Sequence, residues 1–185
     1  MERENVFHPD DRLPASERSE LRDYVHSGGY DRGHMVPSAS AWSLEVQHET
    51  FALSNMVPQN ADNNRGLHAH IEMAVRAFAK RSGELYVITG PLFSGDQIRW
   101  LNNRVAIPTQ IFKLVYDPRS HRAAAYLEQN APGSAYKVVS LPDLEALAGI
   151  KFMPGAGVTG VLDLPTPTDH GNGFKTHSKS NHSWF

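Results

Sequence analysis

Apolar residues recur at helical spacing most clearly between about 65 and 81. Leu67, Ile71, Val75 and Phe78 stand four, four and three residues apart and lay one stripe along a helix that Gly83 stops. Residues 17–25 carry a weaker helical pattern, broken by Ser27-Gly28-Gly29. Residues 41–53 predict another helix, with Trp42, Val46 and Phe51 as its apolar positions. Ser140-Leu141-Pro142-Asp143 has the form of a capping box and opens a short helix that Gly149 ends. The run Leu85-Tyr86-Val87-Ile88-Thr89 predicts a buried strand, and 104–107, 110–116 and 122–128 predict further strands. Tyr30 to Pro37 predicts a strand followed by a turn, Ala52 to Pro58 a short strand ended by proline, and Asn60 to Asn64 a loop. Strands and helices do not alternate regularly and no repeat occurs, so the expectation is an α+β fold rather than a doubly wound sheet. One domain is expected over 1–164, followed by a loose polar tail over 165–185.

The composition narrows the chemistry. The 185 residues are 40% hydrophobic and 21% charged, an ordinary globular mixture. The formal charge of −2 gives no overall basic field, so any site for a polyanion must be local. There is no cysteine, which excludes a disulfide scaffold, a thiolate zinc site and a Cys nucleophile. No apolar run approaches the roughly 20 residues that span a bilayer, so no membrane partner is expected. Met1-Glu-Arg-Glu-Asn is not a signal peptide.

Asp31-Arg32-Gly33-His34 places an acid, a phosphate-binding cation and a base within four residues. In a strand Arg32 and His34 share a face, and Gly33 between them would let a polyanion approach the backbone. Such a His beside a Gly is also an ordinary structural feature. Asn64, His68, Glu72 and Arg76 lie four apart and form one slowly drifting stripe on a helix. That spacing equally describes a solvated face with an i,i+4 ion pair, and Asn64 at the helix start could serve as an N-cap. His68 and His70 diverge on a helix and do not chelate one ion. His170, His177 and His182 are expected to be solvated in the tail. Trp42 and Trp100 are expected to pack in the core, with base stacking as their alternative and as an option for Trp184.

These segments together resemble the DNA/RNA non-specific endonucleases, which include secreted bacterial sugar-nonspecific nucleases and mitochondrial endonuclease G. The resemblance runs through Tyr30 to Pro37, Phe51 to Gln59, Asn64 and Glu72, Ile88 to Phe93, Val105 to Thr109 with Phe112-Lys113, and Gly149 to Pro154, covering roughly residues 3–155. It implies a ββα-metal finger packed on a central, mainly antiparallel sheet. It implies His34 as the general base that activates water, and Asn64 as the one direct protein ligand of Mg²⁺, with Mn²⁺ as a substitute. Glu72 resembles the acid that holds metal-bound water. Arg32 and Arg76 match phosphate-binding positions, Asn55 matches the Asn of a Ser-Asn strand that supports the site, and Asp31 matches a brace. Arg3, four before Phe7, fits the spacing of an upstream phosphate-binding Arg, and Arg65 joins Arg32 and Arg76 in a local positive patch. His68 stands where the family often has Trp, and is expected to be a solvated or packing side chain rather than a supporting contact near Glu72 or an additional metal ligand.

The implied activity is Mg²⁺-dependent hydrolysis of DNA and RNA to 5′-phosphate and 3′-hydroxyl ends. The alternative is a catalytically silent or inhibited nucleic-acid-binding module on the same fold. The family also implies an inhibitor or immunity protein as a partner, a homodimer in some members, and a secreted or periplasmic location.

Overall fold

The computed structural model describes residues 6–168. Its centre is a sheet in the order β3 (Tyr86–Leu92), β6 (Gln110–Asp117), β7 (Arg122–Gln129) and β8 (Tyr136–Ser140), each pair antiparallel. A short β9 (Gly160–Val161) adds a parallel pairing to β7. Alternation along β6 and β7 gives the sheet two apolar faces. Phe112, Leu114, Ala125 and Leu127 turn to one side and pack on α4 (Leu141–Ala148), with Leu144 fully buried between them. Val115, Ala124 and Tyr126 turn to the other side and meet Leu67, Ile71 and Val75. That second helix is the periodic segment expected from the sequence, so its stripe is what docks it on the sheet. Ser140 Oγ caps α4 at the Asp143 N–H, and Gly149 ends it in the left-handed region at φ 68.

A separate two-stranded ribbon carries the Arg32 and His34 segment. β1 (Tyr30–His34) pairs antiparallel with β2 (Met56–Asn60), Arg32 opposite Pro58 and His34 opposite Met56. The chain leaves β2 directly into helix: α2 (Ala61–Asn63), a π-helical turn (Asn64–His68) and α3 (Ala69–Ser82) form one continuous rod. This is the expected ββα arrangement on a mainly antiparallel sheet. Asn130 stitches ribbon to sheet by donating to Pro58 O and Pro108 O, both at 2.9 Å, and accepting from Asn60 N at 2.7 Å.

Several local expectations are revised. The strand expected to end at Pro58 runs through it, because each strand of a two-stranded ribbon has one edge that needs no N–H. The expected loop over 60–64 is mostly helical, because Asn60 rather than Asn64 is the N-cap: its Oδ1 accepts from Asp62 N and Asn63 N. The helix expected over 41–53 shortens to α1 (Leu44–Glu49) behind a Ser43 cap. The pattern over 17–25 yields one tight turn, Leu21–Tyr24. Trp42 is 83% exposed and Trp100, on β4 (Trp100–Leu101) paired with β5 (Val105–Ala106), is 56% exposed, so neither is a core residue. Leu162, Leu164 and Pro165 are buried, and Tyr126 OH donates to Pro165 O, so the packed chain reaches into the segment expected to be loose. Arg3, Trp184, His170, His177 and His182 lie outside the described residues.

Candidate active site

The ribbon and the rod meet at a cleft of about 430 Å³. Arg32, His34, Asp31, Asn64, Arg65 and Glu72 all line it, although they come from a strand and from two parts of a helix. Phe7 forms the shelf between the first two: the Arg32 guanidinium lies 4.1 Å from the centre of its ring, and the His34 ring is 5.9 Å away. Phe51 meets His34 edge-on at 5.0 Å, so two aromatic faces hold the imidazole's orientation.

Gly33 does not face the cleft. A Cβ there would lie 2.1 Å from Gln59 Oε1 and 2.5 Å from Gln59 Cβ, on the opposite side of β1 from Arg32 and His34. The absent side chain therefore makes room for buried Gln59 rather than for a polyanion, which corrects the sequence-based expectation. Asn55 fixes the turn that follows His34. Its Oδ1 accepts from Val36 N, and its Nδ2 donates to Val36 O and Thr50 O, all at 2.9 Å. It lies outside the cleft and supports it.

Asp31 braces the ribbon to the rod. Arg65 donates to both its oxygens, at 2.8 and 2.7 Å, and Asn64 Nδ2 donates at 2.9 Å. Burial opposes ionisation of Asp31, but these donors hold its carboxyl below the usual range. The amide of Asn64 is thereby oriented, with its Oδ1 left to accept from another group.

The π-helical turn decides which helical residues reach the cleft. A π turn holds one residue more than an α turn, so Ala69 rather than His68 comes beneath Asn64. Asn64, Ala69 and Glu72 line the cleft, whereas His68 turns inward and is 2% exposed. The expected even stripe of 64, 68, 72 and 76 is broken at this point, and the solvated reading of His68 is wrong. His68 Nδ1 hydrogen-bonds to Glu128 on β7, and its Nε2 lies 3.5 Å from Glu72 Oε1.

Glu72 stands among cations. Lys113 Nζ is 4.0 Å from Oε1 and Arg76 Nη1 is 3.7 Å from Oε2. Burial pushes against its ionisation, yet His68, Lys113 and Arg76 together hold its carboxyl below the usual range. At neutral pH Glu72 is therefore an acceptor, not a proton donor. Arg76 reaches the cleft only through Glu72, and its buried Nη1 makes no hydrogen bond among the described residues. Arg65, by contrast, uses its fork on Asp31.

No group of three or more His, Asp or Glu among the described residues could hold a metal by itself. The side-chain oxygens on the cleft include those of Asn64 and Glu72, together with Ser38 and with Asp31, whose carboxylate is already taken by Arg65 and Asn64. Oxygen donors, few in number, fit a hard cation such as Mg²⁺ that keeps most of its water.

Sequence reasoning found the cleft residues but missed Phe7 as its shelf and the buried pair Lys113 and Glu128. Each of that pair is 3% exposed within a strand of apolar neighbours, and a charge inside such a run is the signal that could have found them.

A family model described as DNA/RNA non-specific endonuclease matches residues 1–158. "Nuclease EXOG, mitochondrial" of Danio rerio is 34% identical over 181 residues, covering 86% of this chain and 52% of its own. "Nuclease C1" of Cunninghamella echinulata var. echinulata is 33% identical, with 88% and 71% covered. The chain thus spans about half the length of the EXOG relatives it matches. Among solved structures, a chain of the EndoG/EndoGI complex, which concerns the mechanism of EndoG inhibition, superposes with a TM-score of 0.72 at 28% identity. That superposition covers 82% of this chain and 71% of the other.

Proposed function

The chain belongs to the DNA/RNA non-specific endonuclease family, and from that premise we propose that it is a Mg²⁺-dependent, sugar-nonspecific endonuclease acting on DNA and RNA. The observation that carries this reading is the meeting of His34, Arg32, Asn64 and Glu72 on one cleft. Asn64 Oδ1 would hold the ion and Glu72, as a carboxylate, would accept hydrogen bonds from its water shell. Bound there, Mg²⁺ supplies charge neutralisation at the phosphate and the leaving oxygen.

His34 takes a proton from water. The resulting hydroxide forms a bond to phosphorus as the bond to the 3′ oxygen breaks, and that oxygen leaves protonated by solvent. The products carry 5′-phosphate and 3′-hydroxyl ends. Phe7 and Phe51 keep the His34 ring aimed, which matters because a general base works only within hydrogen-bond reach of its proton. Arg32 offsets phosphate charge, with Arg65 in a smaller share because Asp31 already holds it, while Arg76, which does not line the cleft, acts through Glu72. Backbone contacts of this kind carry little sequence information and need not separate DNA from RNA.

The inhibited EndoG relative makes a protein inhibitor that covers the cleft a natural partner to seek by co-purification. A secreted or periplasmic place is carried over from the family resemblance, while several relatives are named mitochondrial. No described helix is long and apolar enough to cross a membrane.

The test is incubation with supercoiled plasmid and with RNA, in Mg²⁺ and in EDTA, beside His34→Ala and Asn64→Ala. Loss of both substrates in Mg²⁺ alone is expected, with neither variant cutting. Intact substrates from the folded wild type would make the domain a silent or inhibited binding module. Full activity in Asn64→Ala would overturn the metal assignment.

A further inference from the structure

Glu128 is among the most deeply buried carboxylates described, and nothing in the proposed hydrolysis uses it. It is 3% exposed on β7; its hydrogen-bond partners among the described residues come from the rod, and Lys113 of β6 adds charge attraction. His68 Nδ1 bonds to Oε1, and Asn63 Nδ2 donates to Oε2 at 3.2 Å, while Gln59 Nε2 donates to Asn63 Oδ1 at 2.7 Å. The other ring nitrogen of His68 faces Glu72 at 3.5 Å. A carboxylate buried this deeply needs compensation, and one of its two hydrogen-bonded partners, His68, turns its other nitrogen toward Glu72 on the cleft.

We propose that Glu128 and His68 form a buried positioning chain that fixes the Glu72 carboxylate at the mouth of the cleft. This rests on the nuclease reading above. Glu128 sits on the rigid central sheet, whereas Glu72 sits on a helix just past a π-helical turn, where the backbone pattern changes. The imidazole transmits the sheet's position to the helix because its Nδ1 is hydrogen-bonded to Glu128 while its Nε2 faces Glu72 Oε1 at 3.5 Å. Lys113 from β6 and Arg76 from α3 confine the carboxylate from its remaining sides. Neither Glu128 nor His68 lines the cleft, so both act through Glu72.

The experiment is a double-mutant cycle in the full chain between Glu128→Gln and Glu72→Ala, read by cleavage kinetics on a DNA duplex, with thermal unfolding alongside. Removing a partner that orients a site residue typically costs about 10–100-fold in activity. Glu128→Gln is expected to lower kcat by that factor with KM within about twofold. In the Glu72→Ala background Glu128→Gln is expected to change nothing further. A folded Glu128→Gln protein with wild-type kcat, or the same fractional loss in both backgrounds, would overturn the proposal. If Glu128→Gln does not fold, His68→Gln takes its place under the same criteria. Proton NMR of the metal-free protein gives a reading independent of cleavage. The wild type is expected to show a downfield ring N–H of His68 that Glu128→Gln abolishes; its absence from the wild type would sink the chain even if the enzyme cuts. Conversely, that resonance in a wild type that cuts nothing would refute the nuclease reading and leave the contact standing.

Discussion

Gly33→Ala places a methyl group within 2.5 Å of Gln59, a fully buried side chain that is tied to Asn63. Overpacking of this kind costs about 1–3 kcal/mol, and the urea midpoint should fall accordingly, even though the added group points away from the cleft. Asn55→Ala removes three hydrogen bonds that shape the turn after His34. The expected loss is about 1–3 kcal/mol in stability together with a fall in kcat, read from unfolding and cleavage on one preparation. Arg32, His34, Asn64 and Glu72 were legible in the sequence because the segments that carry them resemble the family's motifs, whereas spacing alone left each an ordinary structural role. Glu128 was not, because its partner His68 is 60 positions away and only the pairing of sheet against helix joins them. Gly33 was misjudged for the same kind of reason: its neighbour Gln59 is across a ribbon, not beside it.

At the level of elements, the helix through Leu67, Ile71 and Val75, the strands β6 and β7, and the capped α4 followed from periodicity and caps. Those signals are local and strong. The start of the rod did not follow, since Asn60 to Asn64 has a loop's composition and a π-helical turn leaves no mark in apolar spacing. Strand β2 was obscured by Pro58, and β8, partly exposed along its length and with Val138 in solvent, lacked an apolar run. The π-helical turn itself is open to test. Deleting Gly66 should restore an α-helical pitch and swing Asn64 by about 100° relative to Glu72. Circular dichroism should keep its helical signal while Mg²⁺-dependent cutting disappears. Cutting at the wild-type rate would mean that the turn does not aim Asn64.

Across the whole molecule, two opposed titrations meet in one buried cluster. Burial disfavours the His68 imidazolium, but Glu128 and Glu72 hold its pKa above the ordinary 6.5. Its contribution to stability is therefore complete below 6.5 and is lost as pH rises through the raised value. Glu72, held below its ordinary 4.5, contributes above that pH and loses its contribution as pH falls through the lowered value. The gap in urea midpoint between wild type and His68→Gln should accordingly narrow as pH climbs above the ordinary 6.5; a gap that widens would contradict this assignment. Salt acts on another part of the surface. Because the net charge is −2, affinity for nucleic acid should come from the few cations at the cleft and fall as salt rises. Arg32→Ala should reduce the slope of that dependence by about one, and Arg65→Ala by less, because Asp31 already neutralises Arg65. The placement of Trp42 and Trp100 in solvent has an optical consequence. Emission from these two indoles should already be red-shifted in the native protein and open to quenching by acrylamide. It should change little on denaturation, and so will serve better to register a molecule settling beside them than the loss of the fold.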